Sequence, residues 1–256
     1  MPVEIITSRK NPLIQRLRAL ASDGEYRRAE GEYLCDGHKL LAEALDKGAE
    51  IRTVLWKEKP GDAKLPDSVR QHTAPAELFD YASPMKNSPG PLFTLALPAE
   101  PEGVFNRAIL LENVQDPGNV GTVIRTAAAM GVDTVLLCGA CADVYSPKTA
   151  RATMGAIFRE KILHCTPDEA RALADKNGLK LYGAALSDRA ADIRTLTLQK
   201  AVVAIGSEGR GLCEELLSLC DGELIIPMSP GSESLNAAVA AAITLWEMQN
   251  AAAGGR

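Results

Sequence analysis

No apolar run in the chain approaches the ~20 residues that a membrane-spanning helix needs, and the N-terminal stretch MPVEIITSRKNP has no signal-peptide core. A cytoplasmic protein without a membrane segment is therefore expected. The six cysteines, at 35, 138, 141, 165, 213 and 220, are scattered and do not have the spacing of a disulfide framework, so reduced, partly buried thiols are expected. Cys138-Gly-Ala-Cys141 has C-x-x-C spacing, but a zinc site needs a second ligand pair, which His38, His72 and His164 do not supply. No metal is expected. A dinucleotide fingerprint is absent, because Gly118-x-x-Gly121 and Gly206-x-x-Gly209-x-Gly211 are both out of register with G-x-G-x-x-G. No Gly-Lys pair exists to build a Walker loop. G-x-S-x-G is also missing, and Ser207 and Ser232 have no evident histidine partner, which argues against a serine hydrolase.

Net charge is −5, so the chain as a whole offers no basic surface for nucleic acid. The charge is uneven, however: Arg9, Lys10, Arg16, Arg18, Arg27 and Arg28 outnumber the acids of the first segment and can form a local patch. With 256 residues, 46% hydrophobic, the chain has material for two modest domains or one large α/β domain.

Helix and strand alternate on a small scale up to residue 97. Asn11-Pro12 is a helix start with cap and first-turn proline, and Leu13, Ile14, Leu17 and Leu20 follow at helical spacing. Strands are expected at 32–35, 51–56 and 92–97, and helices at 38–47 and 75–81. Two prolines and a glycine in 98–103 break every pattern, suiting a short stiff linker at 98–104. The remainder, 105–256, alternates strands at 108–112, 132–137, 161–164, 179–186, 201–205 and 223–228 with helices at 119–130, near 148–157, and at 168–177, 211–219 and 235–250. This pattern implies a mainly parallel sheet covered by helices on both faces. The alanines of 237–242 suit close helix packing, including packing against another subunit.

Three of these strands, 108–112, 201–205 and 223–228, run directly into loops of Gly, Ser, Glu and Asn. Ligands of parallel α/β sheets collect where strand C-termini meet helix N-termini, because unpaired N–H groups and glycines allow close approach there. The loops carry Asn119, Arg125, Glu208, Ser234 and Asn236, a polar set without histidine. Arg125, six residues after Asn119, is expected to reach back toward the same mouth.

Asp116-Pro-Gly-Asn119-Val-Gly121-Thr-Val-Ile-Arg125-Thr, Ile205-Gly-Ser-Glu208-Gly-Arg-Gly211-Leu and Ile226-Pro-Met-x5-Ser234-Leu-Asn236 resemble, in order and separation, the three motifs of the SpoU/TrmH-type RNA 2′-O-ribose methyltransferases of the SPOUT superfamily. The stretch from Tyr145 through Arg151 to Gly155 is similar to the same family. Thr7-Ser-Arg-Lys-Asn-Pro12 and the Gly37 turn resemble the L30e-like substrate-binding domain that precedes many of these enzymes. Cys35-Asp36-Gly37 stands where Val-Glu-Gly is common, and 83–90 departs from the usual Pro-Gln-Gly.

The resemblance implies an L30e-like domain at 1–97 and a methyltransferase domain at 105–256 with a C-terminal trefoil knot, a departure from the usual rule against threaded chains. It implies S-adenosylmethionine as cofactor, bound by Gly206, Ile226 and Leu235 with Leu186 and Met228 lining the pocket, and a site completed across a homodimer. Arg125 is then expected at the ribose 2′-OH and adjacent phosphate, with Asn119, Glu208, Ser234 and Asn236 orienting it, and Arg9, Lys10 and Arg151 binding RNA. Large-subunit ribosomal RNA is the favoured substrate. The alternatives are the same chemistry on tRNA, or a non-catalytic RNA-binding or ribosome-assembly protein.

Overall fold

The computed structural model describes residues 3–229 and 234–252; Ser232, inside the third motif, lies outside them. The chain divides into two compact units, one running to Ala99 and including Asp143–Arg159, the other comprising Glu100–Ala142 and the chain from Glu160 onward.

The first unit is built on strands β1 (Glu4–Ile5), β2 (Glu32–Asp36), β3 (Ile51–Lys57), β4 (Arg70–Ala74) and β5 (Leu92–Ala96), in the spatial order β1-β4-β3-β5-β2. The first three of that order pair in parallel, while β5 is antiparallel to both β3 and β2. Helix α1 (Pro12–Ser22) starts as its sequence dictates: Asn11 Oδ1 accepts from the Leu13 N–H at 2.8 Å, Pro12 opens the helix, and Ile14, Leu17 and Leu20 are buried. Helix α2 (Gly24–Glu30) follows at once, capped by Asp23 Oδ1 on Glu25 and Tyr26 N–H and ended by Gly31 at φ 62. Helices α3 (His38–Asp46) and α4 (Ala76–Ala82) complete the layer. Two-residue β1 and the polar RQHTA of β4 have no apolar periodicity, which is why the sequence pattern leaves both out.

The second unit holds strands β6 (Ala108–Glu112), β7 (Thr134–Cys138), β8 (Lys161–Cys165), β9 (Lys180–Ala184), β10 (Ala191–Asp192), β11 (Ala201–Ile205) and β12 (Gly222–Ile225). They form a single sheet in the order β10-β12-β9-β11-β6-β7-β8, with every pairing parallel. Strands β6, β7 and β11 are buried along their full length, as near-continuous Ala, Val, Ile and Leu runs in a sheet covered on both faces must be.

The helices after α4 are α5 (Pro117–Ala129), α6 (Pro147–Ala152), α7 (Pro167–Lys176), α8 (Glu214–Ser218) and α9 (Ala237–Ala252). Ala108, Leu110, Val202 and Ala204 share a core with Ala170 and Ala174 of α7 and Leu216 of α8. Side chains alternate along a strand, so Ile109, Leu111 and Val203 face the other way, toward α5 and α9, which pack on each other. After β8 the chain crosses back past β6 and β11 to lay down β9, so strand order reverses beside β6. The C-terminal ends of β6 and β11, with Leu111 level with Ile205, therefore open onto the crevice where such sheets bind ligands.

Helix α6 packs on β2 within the first unit, although sequence order puts it among the strands of the second. Asp143 accepts from Arg27 Nε at 3.1 Å and Nη2 at 2.5 Å, and Tyr145 lies 5.0 Å from Tyr33 between ring centroids. Arg27 is only 4% exposed, so this carboxylate neutralises a buried guanidinium.

Candidate active site

Three strand ends of the second unit build one polar cluster. Beyond β6, Asp116 caps α5, its Oδ1 accepting from the Asn119 N–H at 2.9 Å, which sets Asn119 in the first helical turn. Beyond β11, Gly206 leads into a tight turn closed by the Gly211 N–H on Ser207 O at 2.9 Å, with Gly211 at φ 65. A Cβ on Gly206 would sit inside main-chain atoms of Gly211 and Leu212, so only glycine fits. The turn carries Glu208. Beyond β12, Asn236 caps α9, its Oδ1 accepting from the N–H groups of Ala238 at 3.0 Å and Val239 at 3.2 Å.

These caps converge on one carboxylate. Glu208 Oε1 accepts from Asn119 Nδ2 at 2.9 Å, from Asn236 Nδ2, and from the Ala237 N–H at 3.3 Å. Asn236 Nδ2 also donates to Asn119 Oδ1 at 3.2 Å, closing a triangle of side chains from three separate loops. Each asparagine has one end committed to a helix start or the other asparagine and the other end to Glu208, which fixes both amide orientations.

Arg125 is not held by this triangle. Six residues of helix advance about 600°, roughly a third of a turn short of Asn119's direction, and Arg125 is exposed with no hydrogen bond or ion pair to the described residues. Its expected reach back to the same mouth is not seen within one chain. Ser234 is exposed and borders the cavity described next, without joining the triangle.

Leu186, Gly206, Ile226, Met228 and Leu235 all border one cavity of about 520 Å³, a volume usual for a small-molecule site. Its walls are mostly aliphatic, and its polar residues are supplied by the 206–211 turn, with Ser207, Glu208 and Arg210, and by Ser234. Mostly aliphatic walls, a few polar side chains at one side, and a glycine whose missing Cβ keeps the turn tight suit an adenosyl group carrying a short aliphatic sulfonium arm. Leu186 is 63% exposed at this cavity.

Arg9, Lys10 and Arg151 all belong to the first unit and are exposed. Arg9 and Arg18 each place a guanidinium carbon over the Tyr81 ring, at 4.6 and 4.0 Å from its centroid. Arg151, on α6, donates to Met85 Sδ at 2.8 Å. Beside it, Asp36 accepts from Ser83 Oγ at 2.9 Å and Ser88 Oγ at 2.5 Å, and burial pushes its carboxyl up from the ordinary range.

Sequence reasoning gave no role to Glu112, at the end of β6. Nearly fully buried, it accepts from the Cys213 N–H at 2.7 Å and from Cys213 Sγ at 2.8 Å, tying the first motif's strand to the segment after the second. A lone Glu and Cys 101 residues apart give no sequence signal. Burial pushes the Cys138 thiol up to about 11 and the Cys141 thiol up as well, and Cys141 Sγ donates to Leu111 O at 3.3 Å. Among the described residues no three His, Cys, Asp or Glu side chains cluster to hold a metal, and no helix is long and apolar enough to cross a membrane.

Comparison with known proteins identifies the family of the chain. A profile of the SpoU rRNA methylase family matches residues 106–246, and one of an MRM3-like substrate binding domain matches residues 11–88. The chain is 33% identical to an uncharacterized tRNA/rRNA methyltransferase of Synechocystis, over 94% of this chain and 92% of that one. It is 30% identical to the 23S rRNA (guanosine(2553)-2′-O)-methyltransferase RlmP of Bacillus subtilis, over 95% and 98% of the two chains. Among solved structures it is similar to an AdoMet-bound rRNA methyltransferase from Sinorhizobium meliloti, with a TM-score of 0.86, 26% identity, and coverage of 97% and 98%.

Proposed function

The chain belongs to the SpoU rRNA methylase family, and from that premise we propose that it methylates the ribose 2′-hydroxyl of ribosomal RNA of the large subunit, using S-adenosylmethionine. The observation that carries this reading is the Asn119–Glu208–Asn236 triangle beside the cavity lined by Gly206, Ile226 and Leu235. Five polar residues retained in the three motifs weigh against a non-catalytic RNA-binding protein. The 23S rRNA named for the Bacillus subtilis relative favours ribosomal RNA over tRNA.

S-adenosylmethionine, when bound, supplies an electrophilic methyl group. The chain's own task is to align the acceptor and manage its proton. Holding two reactants in line can lower the barrier by about 7–11 kcal/mol in favourable cases. In this reading the triangle orients the ribose, and Arg125 lies at the 2′-hydroxyl and neighbouring phosphate. A guanidinium is a poor base, so Arg125 stabilises the developing alkoxide and the proton leaves through phosphate or water.

Arg125 reaches that position in our reading from a second copy of the chain. Val239 and Trp246 of α9 are 48% and 52% exposed, seven residues apart on one face, with half-buried Ala242 and Ile243 between them. An apolar stripe on the helix that packs against α5, next to an uncommitted arginine, suits a homodimer whose partner supplies Arg125. We further read the C-terminal part as a trefoil knot and the first unit as L30e-like, with Arg9, Lys10 and Arg151 on RNA. Six free cysteines favour the cytoplasm.

The test is transfer of labelled methyl from S-adenosylmethionine to deproteinised ribosomal RNA and, separately, to tRNA. Label in a large-subunit ribose 2′-oxygen supports the proposal. Label in tRNA alone would move the substrate, and cofactor binding without transfer to RNA or to ribosomal particles would favour the non-catalytic reading.

A further inference from the structure

The loop 207–212 borders a second cavity, of about 740 Å³, whose other wall comes from 113–119 with Ala140 and Cys213. Both cavities share Glu208 and Arg210 of that loop; the rest of the first is mostly aliphatic, whereas this one adds Gln115, Asp116 and Asn119. Its two carboxylates already have donors: Asp116 Oδ1 takes the Asn119 N–H, and Glu208 Oε1 takes both asparagine amides. Arg210 is the only cation among the lining residues. It is exposed and makes no hydrogen bond or ion pair with the described residues, and the same holds for the amide of Gln115. The end of α5 offers no open anion site, because Pro117 has no N–H and Asp116 occupies the cap.

We propose that this second cavity receives the acceptor nucleotide of the RNA, with Arg210 gripping the backbone phosphate next to the methylated ribose and Gln115 reading the edge of the base. The inference rests on the reading that the aliphatic cavity takes the cofactor. The geometry argues for it in two ways. A polyanion entering a cavity with two carboxylates needs a cation there, and Arg210 is the lining residue able to supply it, as a planar two-pronged donor suited to phosphate. Glu208 and the whole 207–212 turn line both cavities, so a nucleotide in the second stands one turn of chain from the first, with its ribose at the Asn119–Glu208 edge.

The experiment compares wild type with Arg210→Ala, Arg210→Lys and Gln115→Ala in two assays: cofactor affinity by calorimetry, and steady-state methyl transfer to deproteinised ribosomal RNA from a strain lacking the gene. Loss of a charged hydrogen bond predicts that Arg210→Ala raises KM for RNA about 10-fold or more and lowers the salt dependence of RNA binding by about one ion. Cofactor affinity and kcat stay within about twofold of wild type, a window too narrow for a lost charged contact. Arg210→Lys recovers most of the KM, and Gln115→Ala raises it in a way that differs between RNA fragments of different target base. Wild-type transfer with an unchanged KM in Arg210→Ala would overturn the site alone. So would weakened cofactor affinity at constant KM, which would assign the guanidinium to the cofactor. A wild-type protein without cofactor affinity would overturn the functional reading and this site with it.

Discussion

Asn119 donates from Nδ2 to Glu208 Oε1 at 2.9 Å across 89 residues of sequence, joining the first turn of α5 to the turn after β11. Because Asn236 reaches the same oxygen, one carboxylate ties all three strand-end loops together. Glu208→Ala is therefore expected to reduce kcat about 100-fold or more, the scale seen when a preorganised polar contact at a reacting centre is removed. The exposed position of Glu208 should leave the fold intact, so thermal unfolding would be close to wild type, and cofactor calorimetry separates an effect on the cavity that Glu208 also lines from one on catalysis. A variant within about twofold of wild-type kcat would remove the triangle from the mechanism.

Gly206→Ala tests the turn itself. A methyl at that position overlaps main-chain atoms of Gly211 and Leu212, which cannot yield as a side chain could. Overpacking of this kind costs about 1–3 kcal/mol, and the displaced turn lines the cavity that we propose for the cofactor. The expected result is a lower Tm together with loss of measurable S-adenosylmethionine binding. Normal affinity in calorimetry would show that the turn does not shape that cavity.

Asp143→Ala tests the buried ion pair of the first unit. It leaves Arg27 buried with one remaining hydrogen bond to Leu20 O, at 2.6 Å. Breaking a buried pair from one side costs about 3–5 kcal/mol; Asp143 is part-exposed, with 31% of its side chain accessible, so about 3 kcal/mol is expected from denaturant unfolding. The double variant Arg27→Met/Asp143→Ala should recover part of it.

Asp221 gives a pH test. Burial alone would raise its carboxyl, but the Leu181 N–H, Arg171 and Lys180 overcome this and hold it at about 2. A carboxyl depressed in the folded state stabilises the fold above its unfolded value of about 3.9, and that stability is lost as pH falls toward 2. A shift of nearly two units at 1.36 kcal/mol each would come to about 2.5 kcal/mol; Asp221 is exposed and solvent screens its pairs, so at pH 7 Asp221→Asn should cost less, about 1 kcal/mol. The difference between wild type and variant should shrink as pH falls below about 4. A pH-independent difference would mean that the charge is not what holds this loop.

Much of the second unit was legible because its strands are long apolar runs that end in Gly, Ser, Glu and Asn, so residues such as Asn119, Glu208 and Asn236 could be read as strand-end neighbours. Gly206 and the cavity-lining Ile226 and Leu235 followed from the motifs, not from periodicity. What stayed hidden depends on long-range pairing. Two-residue strands such as Ala191–Asp192 acquire their identity only from the neighbour they pair with. The packing of 143–159 against the first unit depends on Arg27 and Tyr33, more than a hundred residues earlier, which local pattern does not connect to Asp143 and Tyr145. Arg125 shows a different limit: the motif names the residue, yet helix geometry turns it away from Asn119, and only in our proposal does a second copy of the chain bring it to the site.

The most direct test is mass mapping of ribosomal RNA from a strain lacking the gene, complemented by wild type or by Arg125→Lys. The account predicts one ribose 2′-O-methyl group that disappears from large-subunit RNA, returns with wild type, and does not return with Arg125→Lys even though the variant still binds S-adenosylmethionine. A methylation pattern unchanged by loss of the gene, or one fully restored by Arg125→Lys, would contradict it.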